Sequence, residues 1–179
     1  MITTLEQMAE KVKALGKKRR IAIAWAQDSN TIGAVHKAVE NGFAEALMIG
    51  KPAEITDACR TAGIDEKLFT IIPSDNDFKA SREAVMLAKN GEADIVMKGL
   101  VGTDVFLKAV MDKENGLMLP DAVLSYVGAM EIPAYHKLLF ITDPAVIPFP
   151  DLDQTLRVVD RDRVRTGSRG FGADATARA

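Results

Sequence analysis

The pattern of hydrophobic and polar positions alternates between short apolar runs and segments with helical spacing. Residues 20–26 form an apolar run with β-branched side chains, which is typical of a strand buried on both faces. Residues 30–41 carry apolar side chains at helical spacing, with Asn30 as a candidate N-cap and Gly42 just past the end. The same alternation continues with predicted strands at 44–49, 69–72, 93–98, 123–131 and 138–142 and predicted helices at 53–62, 77–90 and 104–112. Strands that alternate with helices of this length predict an α/β fold with three layers, in which a mostly parallel sheet lies between helices.

Two segments flank this alternation. An amphipathic helix is predicted at 4–15, and we expect it to pack against one side of the sheet. After residue 154 the composition changes, because 155–179 hold six arginines and no lysine, whereas the preceding residues hold all 13 lysines and four arginines. We therefore predict an α/β domain at 1–154 and a tail at 155–179 that is either disordered or translated out of frame. A phosphate- or nucleic-acid-binding arm is the functional alternative, which three aspartates and the lack of interleaved aromatic residues disfavour.

Composition and charge exclude several classes of function. The 179 residues are 47% hydrophobic and 27% charged, and no apolar run approaches the roughly 18 residues that cross a bilayer. The first twenty residues are charged throughout and do not resemble a secretory signal, so a cytoplasmic protein without a membrane partner is expected. The formal net charge of −2 gives no reason to expect nucleic acid. A single cysteine, Cys59, excludes an internal disulfide, and the two histidines lack metal-ligand spacing, so no metal is predicted.

The strongest candidate for a binding site is the loop after the strand predicted at 93–98. Ligands of open parallel sheets bind beyond the carboxyl ends of the strands. Gly99 and Gly102 would let the backbone approach an anion closely, and Thr103 can cap the next helix or donate its hydroxyl. Lys98 and Lys108 add positive charge, so the pattern suits a phosphate or a phosphorylated ligand. The alternative is that the glycines only satisfy the geometry of a turn.

Other familiar motifs are absent from the sequence. Neither the P-loop nor the dinucleotide-binding glycine pattern occurs, which disfavours a P-loop nucleotidase and a standard dehydrogenase. His136 is interpreted as a surface or capping residue, His36 as solvated, and Cys59 as a buried, inert thiol. No serine hydrolase motif is present.

Five segments in a fixed order carry a resemblance to a known family. They are ADIVMKGLVGT at 93–103, FLKAV at 106–110, VLS at 123–125, HKLLFITD at 136–143 and PDL at 150–152. In this order they resemble the amino-terminal half of the phosphate acetyl/butyryltransferase family, and the butyryltransferase branch more than the acetyl branch. The similarity extends from about residue 20 to residue 154. It implies an α/β domain like the first domain of the isocitrate/isopropylmalate dehydrogenase-like fold.

The resemblance also implies an activity and its ligands. Members of the family interconvert an acyl-CoA and inorganic phosphate with an acyl phosphate and free CoA, in a cleft between two domains and without a metal. Coenzyme A is then a substrate and not a tightly bound cofactor. By the same resemblance, the loop and helix residues would face the phosphate or the phosphates of CoA, and two further residues would line the cleft. The first set is Lys98, Gly99, Gly102, Thr103 and Lys108, and the second is Ser125 and Asp143.

The sequence also departs from the family pattern. Lys108 stands where arginine is usual, which keeps the charge but loses the planar fork that binds phosphate at two points. Residues 144–147 are Pro-Ala-Val-Ile, where the family tends to have small residues and an asparagine. The second half of the family, with its Ser-Arg segment and acidic residue, is absent, so the catalytic residues are unknown. For Asp143 the structural alternative is capping of a turn, and for Ser125 it is a hydrogen bond to backbone.

Three functions follow as alternatives. The first is a phosphate acyltransferase of butyryl or acetyl type whose activity alone is impaired or absent. The second is a single-domain module that binds CoA, an acyl phosphate or phosphate, and that completes its cleft by self-association. The third is a non-catalytic interaction protein with a vestigial loop.

Overall fold

The computed structural model describes residues 2–120, 122–143, 146, 147, 149 and 151–165. The helices are α1 (Leu5–Ala14), α2 (Ser29–Glu40), α3 (Pro52–Ala62), α4 (Asp77–Lys89), α5 (Thr103–Val110) and α6 (Leu152–Arg165). The strands are β1 (Arg19–Ala24), β2 (Ala44–Gly50), β3 (Thr70–Pro73), β4 (Ile95–Lys98), β5 (Val127–Met130) and β6 (Leu139–Thr142). The chain divides into two units: a sheet unit at Glu10–Leu119, and a hairpin unit formed by Met1–Ala9 and Pro120–Ala179.

The sheet unit is built on four parallel strands in the order β3-β2-β1-β4. In β1, Ala24 lies opposite Ile49 of β2 on one side and Lys98 of β4 on the other. The chain first adds strands on one side of β1 and then returns to its other side, so the order reverses between β1 and β4. At such a switch point the two connections leave in opposite directions and open a crevice at the carboxyl ends of the strands.

Alternation along β1 separates two hydrophobic cores. Ile23 packs with residues of α2 and α3, among them Ile32 and Ile55. Its neighbours Ala22 and Ala24 face the opposite cluster, which contains small residues of α4 and apolar residues of α5. The small side chains on this face allow the α4 backbone to lie close to the sheet. The predicted α/β/α arrangement with a parallel sheet is therefore confirmed.

Local signals set the ends of the helices. The side chain of Asp28 accepts a hydrogen bond from the backbone N–H of Thr31 and caps α2. The predicted cap, Asn30, lies inside the helix, so that prediction is wrong by two residues. α3 ends at Ala62 and is capped by Gly63, whose φ of +67° is the left-handed conformation that glycine adopts without a steric cost.

The hairpin unit contains an antiparallel pair of strands, β5 and β6, with Val127 opposite Thr142 and Met130 opposite Leu139. Both strands were predicted, but they form a sheet of their own and do not extend the parallel one. The strand predicted over 123–131 pairs only at Val127–Met130. Among the described residues of this unit, only Leu138 and Val158 are buried.

The two flanking predictions have different outcomes. α1 matches the predicted helix closely and buries none of its residues, and its packing against the sheet stays a prediction. α6 runs across the predicted boundary at 154, and residues 166–179 of the predicted tail lie outside the described residues. Within the part of the chain that the structure describes, no helix combines the length and apolar character that a membrane crossing requires.

Candidate functional site

The loop that follows β4 lies against the end of β1. The backbone N–H of Gly99 donates to Ala24 O at 2.9 Å, and the N–H of Leu100 donates to Trp25 O at 2.9 Å. These bonds continue the β1–β4 pairing beyond the strands. They hold residues 99–100 at the switch point, where the fold predicts a ligand crevice.

Gly99 has a specific steric role in this contact. A Cβ atom at Gly99 would lie 2.6 Å from Trp25 O and 2.8 Å from Ala24 O, and both of these are backbone atoms. A Cβ at Gly102 would lie 2.8 Å from Asp104 Oδ1, which is the end of a side chain that can rotate away. Gly99 is therefore required by the approach of the loop to β1, whereas Gly102 is held less strictly.

Lys98 and Lys108 bring positive charge to the loop and to the helix that follows it. Lys98 Nζ donates to Val101 O at 2.9 Å, so the ammonium group lies over its own loop. α5 begins at Thr103, with Gly102 as its N-cap and no side-chain cap bond. Lys108 Nζ lies 3.7 Å from Asp104 Oδ2 in an exposed pair one turn apart. The structure thus places Gly99 and Gly102 on the loop, Lys98 at the end of the strand before it, and Thr103 and Lys108 on the helix after it.

Ser125 and Asp143 belong to the hairpin unit. The carboxylate of Asp143 accepts from the N–H of Tyr126 at 3.1 Å and from the N–H of Val146 at 2.8 Å. Thr142 Oγ1 donates to Tyr126 O at 2.9 Å, which ties the same two segments together. Asp143 therefore holds the end of the hairpin, which agrees with its structural alternative. Ser125 directly precedes Tyr126, the residue whose backbone N–H Asp143 binds.

Three residues at the carboxyl edge of the sheet were not predicted as site residues. Trp25 follows β1 with a φ of +59°, and Lys51 Nζ lies 5.7 Å from the centroid of its ring. Gln27 Oε1 accepts from the N–H of Lys51 at 3.2 Å, and Gln27 Nε2 donates to Glu54 Oε2. The signal that points to them is their position at the carboxyl ends of predicted strands, since strand ends meet at one edge of a parallel sheet. Trp25 lies in the last residues of the strand predicted at 20–26, Gln27 directly follows that strand, and Lys51 follows the strand predicted at 44–49.

Cys59 and His136 agree with their structural interpretation, whereas the side chain of His36, predicted to be solvated, is only 22% exposed. Cys59 is buried. Its burial, and to a smaller extent the negative charge of Glu66, raises the pKa of the thiol, and the raised pKa disfavours the reactive thiolate. His36 Nδ1 lies 3.5 Å from Glu40 Oε2 on α2, and the ring of His136 lies against Tyr135. Across the described residues, no cluster of three or more histidine, cysteine, aspartate or glutamate side chains is arranged to hold a metal.

The parallel sheet between helices, with a glycine loop at its switch point, defines an α/β domain. Residues 3–83 match the family model described as phosphate acetyl/butaryl transferase. A phosphate butyryltransferase from Clostridium acetobutylicum is 38% identical over 160 residues, which are 89% of this chain and 52% of that protein. A phosphate acetyltransferase from Thermotoga maritima is 31% identical over 156 residues, which are 87% of this chain and 52% of that protein. The predicted resemblance to the phosphate acetyl/butyryltransferase family is confirmed, and the chain spans about half the length of these relatives.

Solved structures agree with the fold. A branched-chain phosphotransacylase from Enterococcus faecalis superposes with a TM-score of 0.68 at 21% identity, covering 83% of this chain and 51% of that one. A phosphotransacetylase from Staphylococcus aureus gives a TM-score of 0.69 at 12% identity, covering 97% of this chain and 64% of that one. The likeness to the first domain of the isocitrate/isopropylmalate dehydrogenase-like fold stays a prediction.

Proposed function

We propose that this chain provides the phosphate- and CoA-binding part of a phosphate acyltransferase of butyryl or acetyl type. The observation that carries the proposal is the loop at 98–103, which Gly99 holds against β1 at the switch point of the sheet. Its lysine and the start of α5 supply positive charge where the fold favours a ligand. The match to the phosphate acetyl/butaryl transferase model supports the same activity.

The proposed reaction transfers an acyl group between sulfur and phosphate. An oxygen of inorganic phosphate attacks the thioester carbonyl of acyl-CoA, the carbon–sulfur bond breaks, and CoA leaves as the thiolate. Phosphate is an anion, acyl-CoA carries phosphates of its own, and negative charge develops on the carbonyl oxygen as the phosphate attacks. Cations and backbone N–H groups that hold the phosphate next to the thioester therefore lower the barrier. Lys98, Thr103 and Lys108 are proposed for this role, with Gly99 and Gly102 allowing close backbone approach. The groups that act on the reacting carbonyl are not assigned.

Ser125 and Asp143 are proposed as lining residues of the acyl-transfer cleft. The carboxylate of Asp143 already accepts two backbone N–H groups, so in this role it would shape the end of the hairpin and thereby position Ser125. A serine hydroxyl there can donate to a phosphate or carbonyl oxygen.

The proposal extends to ligands and location. CoA is a substrate and not a resident cofactor, the acyl phosphate is the other product, and no nucleic acid is involved. We place the protein in the cytoplasm and expect self-association if a second copy completes the cleft. We propose that this chain alone turns over slowly or not at all, since none of its residues is assigned to the reacting carbonyl. A module that binds CoA without turnover is the second candidate, because the residues proposed here hold phosphate groups and none is assigned to the reacting carbonyl.

The first experiment measures binding and turnover on the same preparation. Purified protein is mixed with butyryl-CoA or acetyl-CoA and phosphate while thiol release is followed, and CoA binding is measured by calorimetry. We expect saturable CoA binding that Lys98→Met weakens by about 10- to 150-fold, because one charge-assisted contact contributes about 1.5–3 kcal/mol.

Lys67→Met is the matched control, since it removes one exposed lysine from the turn at Glu66–Leu68, in the segment between α3 and β3. It should bind CoA with the affinity of the unchanged protein. Equal CoA affinity in Lys98→Met and Lys67→Met would remove the loop from the proposed site. Phosphate-dependent thiol release would favour the acyltransferase over the binding module.

A further inference from the structure

Trp25, the only tryptophan of the chain, occupies an unusual position at the end of β1. Its φ of +59° lies in the left-handed region, which bulky residues rarely adopt. Hydrogen bonds hold the backbone in place from both sides, because Trp25 O accepts from Leu100 and the next N–H, that of Ala26, donates to Ile49 O at 3.0 Å. Strained conformations that the surrounding bonds maintain are concentrated at functional sites.

The indole of Trp25 is partly buried and lies near a cation. Trp25 is partly buried and packs against the cluster formed by the β1 alanines and α4. Lys51, directly after β2, holds its ammonium group 5.7 Å from the ring centroid. That side chain is 49% exposed and is paired with Glu54 Oε1 at 2.8 Å. An aromatic face with a cation that can move is therefore present at the carboxyl edge of the sheet.

We propose that Trp25 and Lys51 form the subsite for the purine nucleotide end of coenzyme A. This inference rests on the proposed function, because it assigns one end of the CoA molecule to that site. A purine stacks on an indole, and its phosphates need a cation next to the ring. Lys51 moves from the ring face to a phosphate at little cost, because an exposed ion pair such as Lys51–Glu54 contributes little stability.

The subsite is continuous with the loop after β4. The carbonyl of Trp25 is bonded to the N–H of Leu100, so the residue that carries the indole is adjacent to the loop that carries Lys98 and Gly99. A ligand with a planar ring and several phosphates can span Trp25, Lys51 and this loop. The nucleotide end of CoA is then anchored in the sheet unit, and its thioester arm leads away from the ring.

The single tryptophan makes the test direct. Its fluorescence is followed while the whole chain is titrated separately with CoA, adenosine 3′,5′-bisphosphate, ADP, pantetheine and inorganic phosphate. We expect saturable changes with CoA and adenosine bisphosphate, at the affinities that calorimetry gives, and none with pantetheine or phosphate. A response to ADP as strong as that to the bisphosphate would assign the subsite to purine nucleotides in general and overturn its assignment to CoA.

Variants separate stacking from charge. Trp25→Leu should weaken adenosine bisphosphate binding about tenfold, because stacking of a base on an aromatic ring contributes a large part of the binding free energy. Trp25→Phe should retain most of the affinity, and Lys51→Met should lose severalfold while Lys67→Met loses none. Circular dichroism of each variant checks that the fold is kept. The fluorescence titration uses only the unchanged chain, so its result does not depend on whether a variant folds.

The outcomes distinguish this inference from the proposed function. If CoA binds by calorimetry while the tryptophan emission stays constant and Trp25→Leu keeps its affinity, the subsite is wrong and the acyltransferase proposal stands. If adenosine bisphosphate changes the emission but no thiol is released with phosphate, the subsite is supported and turnover by this chain is not. Absence of CoA binding overturns both.

Discussion

Gly99 shows how one missing side chain shapes the candidate site. The loop after β4 approaches β1 so closely that a methyl group at Gly99 would overlap two carbonyl oxygens, those of Ala24 and Trp25. The same carbonyls accept the hydrogen bonds that hold the loop. The steric requirement and the proposed phosphate contact therefore depend on the same stretch of backbone.

We expect Gly99→Ala to destabilise the protein by about 1–3 kcal/mol, because overpacking against rigid backbone has a cost of this size. The free energy of unfolding is measured by urea titration. Gly33→Ala is the matched control: Gly33 lies in α2 with open space around its Cα, so alanine there should stabilise by about 0.5–1 kcal/mol. Unchanged or increased stability of Gly99→Ala would contradict the steric account.

At the scale of secondary structure, β1 connects all parts of the sheet unit. It pairs with β2 and β4 and faces a helix layer on each side. Asp94, just before β4, binds the amino end of β1 through two hydrogen bonds. The N–H of Arg20 donates to the Asp94 carboxylate at 2.8 Å, and the N–H of Asp94 donates to Arg20 O at 2.8 Å. Arg19 Nη1 lies 3.4 Å from the same carboxylate.

These contacts make the β1–β4 connection sensitive to pH. The backbone N–H of Arg20, together with the charges of Arg19 and Arg20, lowers the pKa of Asp94 below its ordinary value. Because the folded pKa is the lower one, the charged carboxylate stabilises the fold above the ordinary pKa, and this contribution is lost as pH falls through the folded pKa. We expect Asp94→Asn to lower Tm at neutral pH and the difference from the unchanged protein to shrink in acid. A difference in Tm that stays constant down to acid pH would show that the charge contributes nothing.

At the scale of the whole molecule, the two units differ sharply in burial. In the sheet unit, Ala22, Ile23 and Ala24 of the central strand are completely buried. In the hairpin unit, large apolar side chains such as Phe149 and Leu152 are 92% and 76% exposed. A two-stranded sheet is at best marginally stable by itself, whereas four strands covered on both faces form a cooperative core.

Hydrogen exchange should therefore distinguish the units. We expect the amides of β5 and β6 to exchange faster than those of β1 and β2 in the native protein, measured by mass spectrometry on peptides from each pair. Opening the hairpin exposes little additional apolar surface, whereas opening the β1–β2 pair disrupts both cores. Equal protection of the two pairs would show that the hairpin is stabilised by contacts beyond its own packing.

Local pattern was sufficient for most elements of the sheet unit. The helix predicted at 53–62 is observed at Pro52–Ala62, and the strand predicted at 44–49 at Ala44–Gly50. Such bounds follow from hydrophobic period and from glycine at the helix end, which are both local signals. The cap of α2 was misplaced because Asn30 and Asp28 are equally good capping residues, and only the course of the chain after β1 selects Asp28.

The local sequence pattern could not predict which distant segments pair with each other. The apolar runs at 123–131 and 138–142 predict two strands, of which the first begins four residues later than predicted, but period-two alternation does not specify a partner. The antiparallel pairing of β5 with β6 in a separate sheet is a result of long-range contacts. The same limit applies to Asp143, whose two backbone N–H partners only the folded hairpin reveals.

The amino-acid order alone specifies the α/β class, the alternation of strands and helices, and a loop with two glycines and a lysine after a buried strand. These features depend on side-chain type and on spacing of a few residues. The tertiary structure decides that this loop meets the end of β1, that Gly99 has no room for a methyl group, and that Trp25 lies beside Lys51. The physical reason is strand order: β1 and β4 are about seventy residues apart in the chain, and only their pairing brings their carboxyl ends into one site.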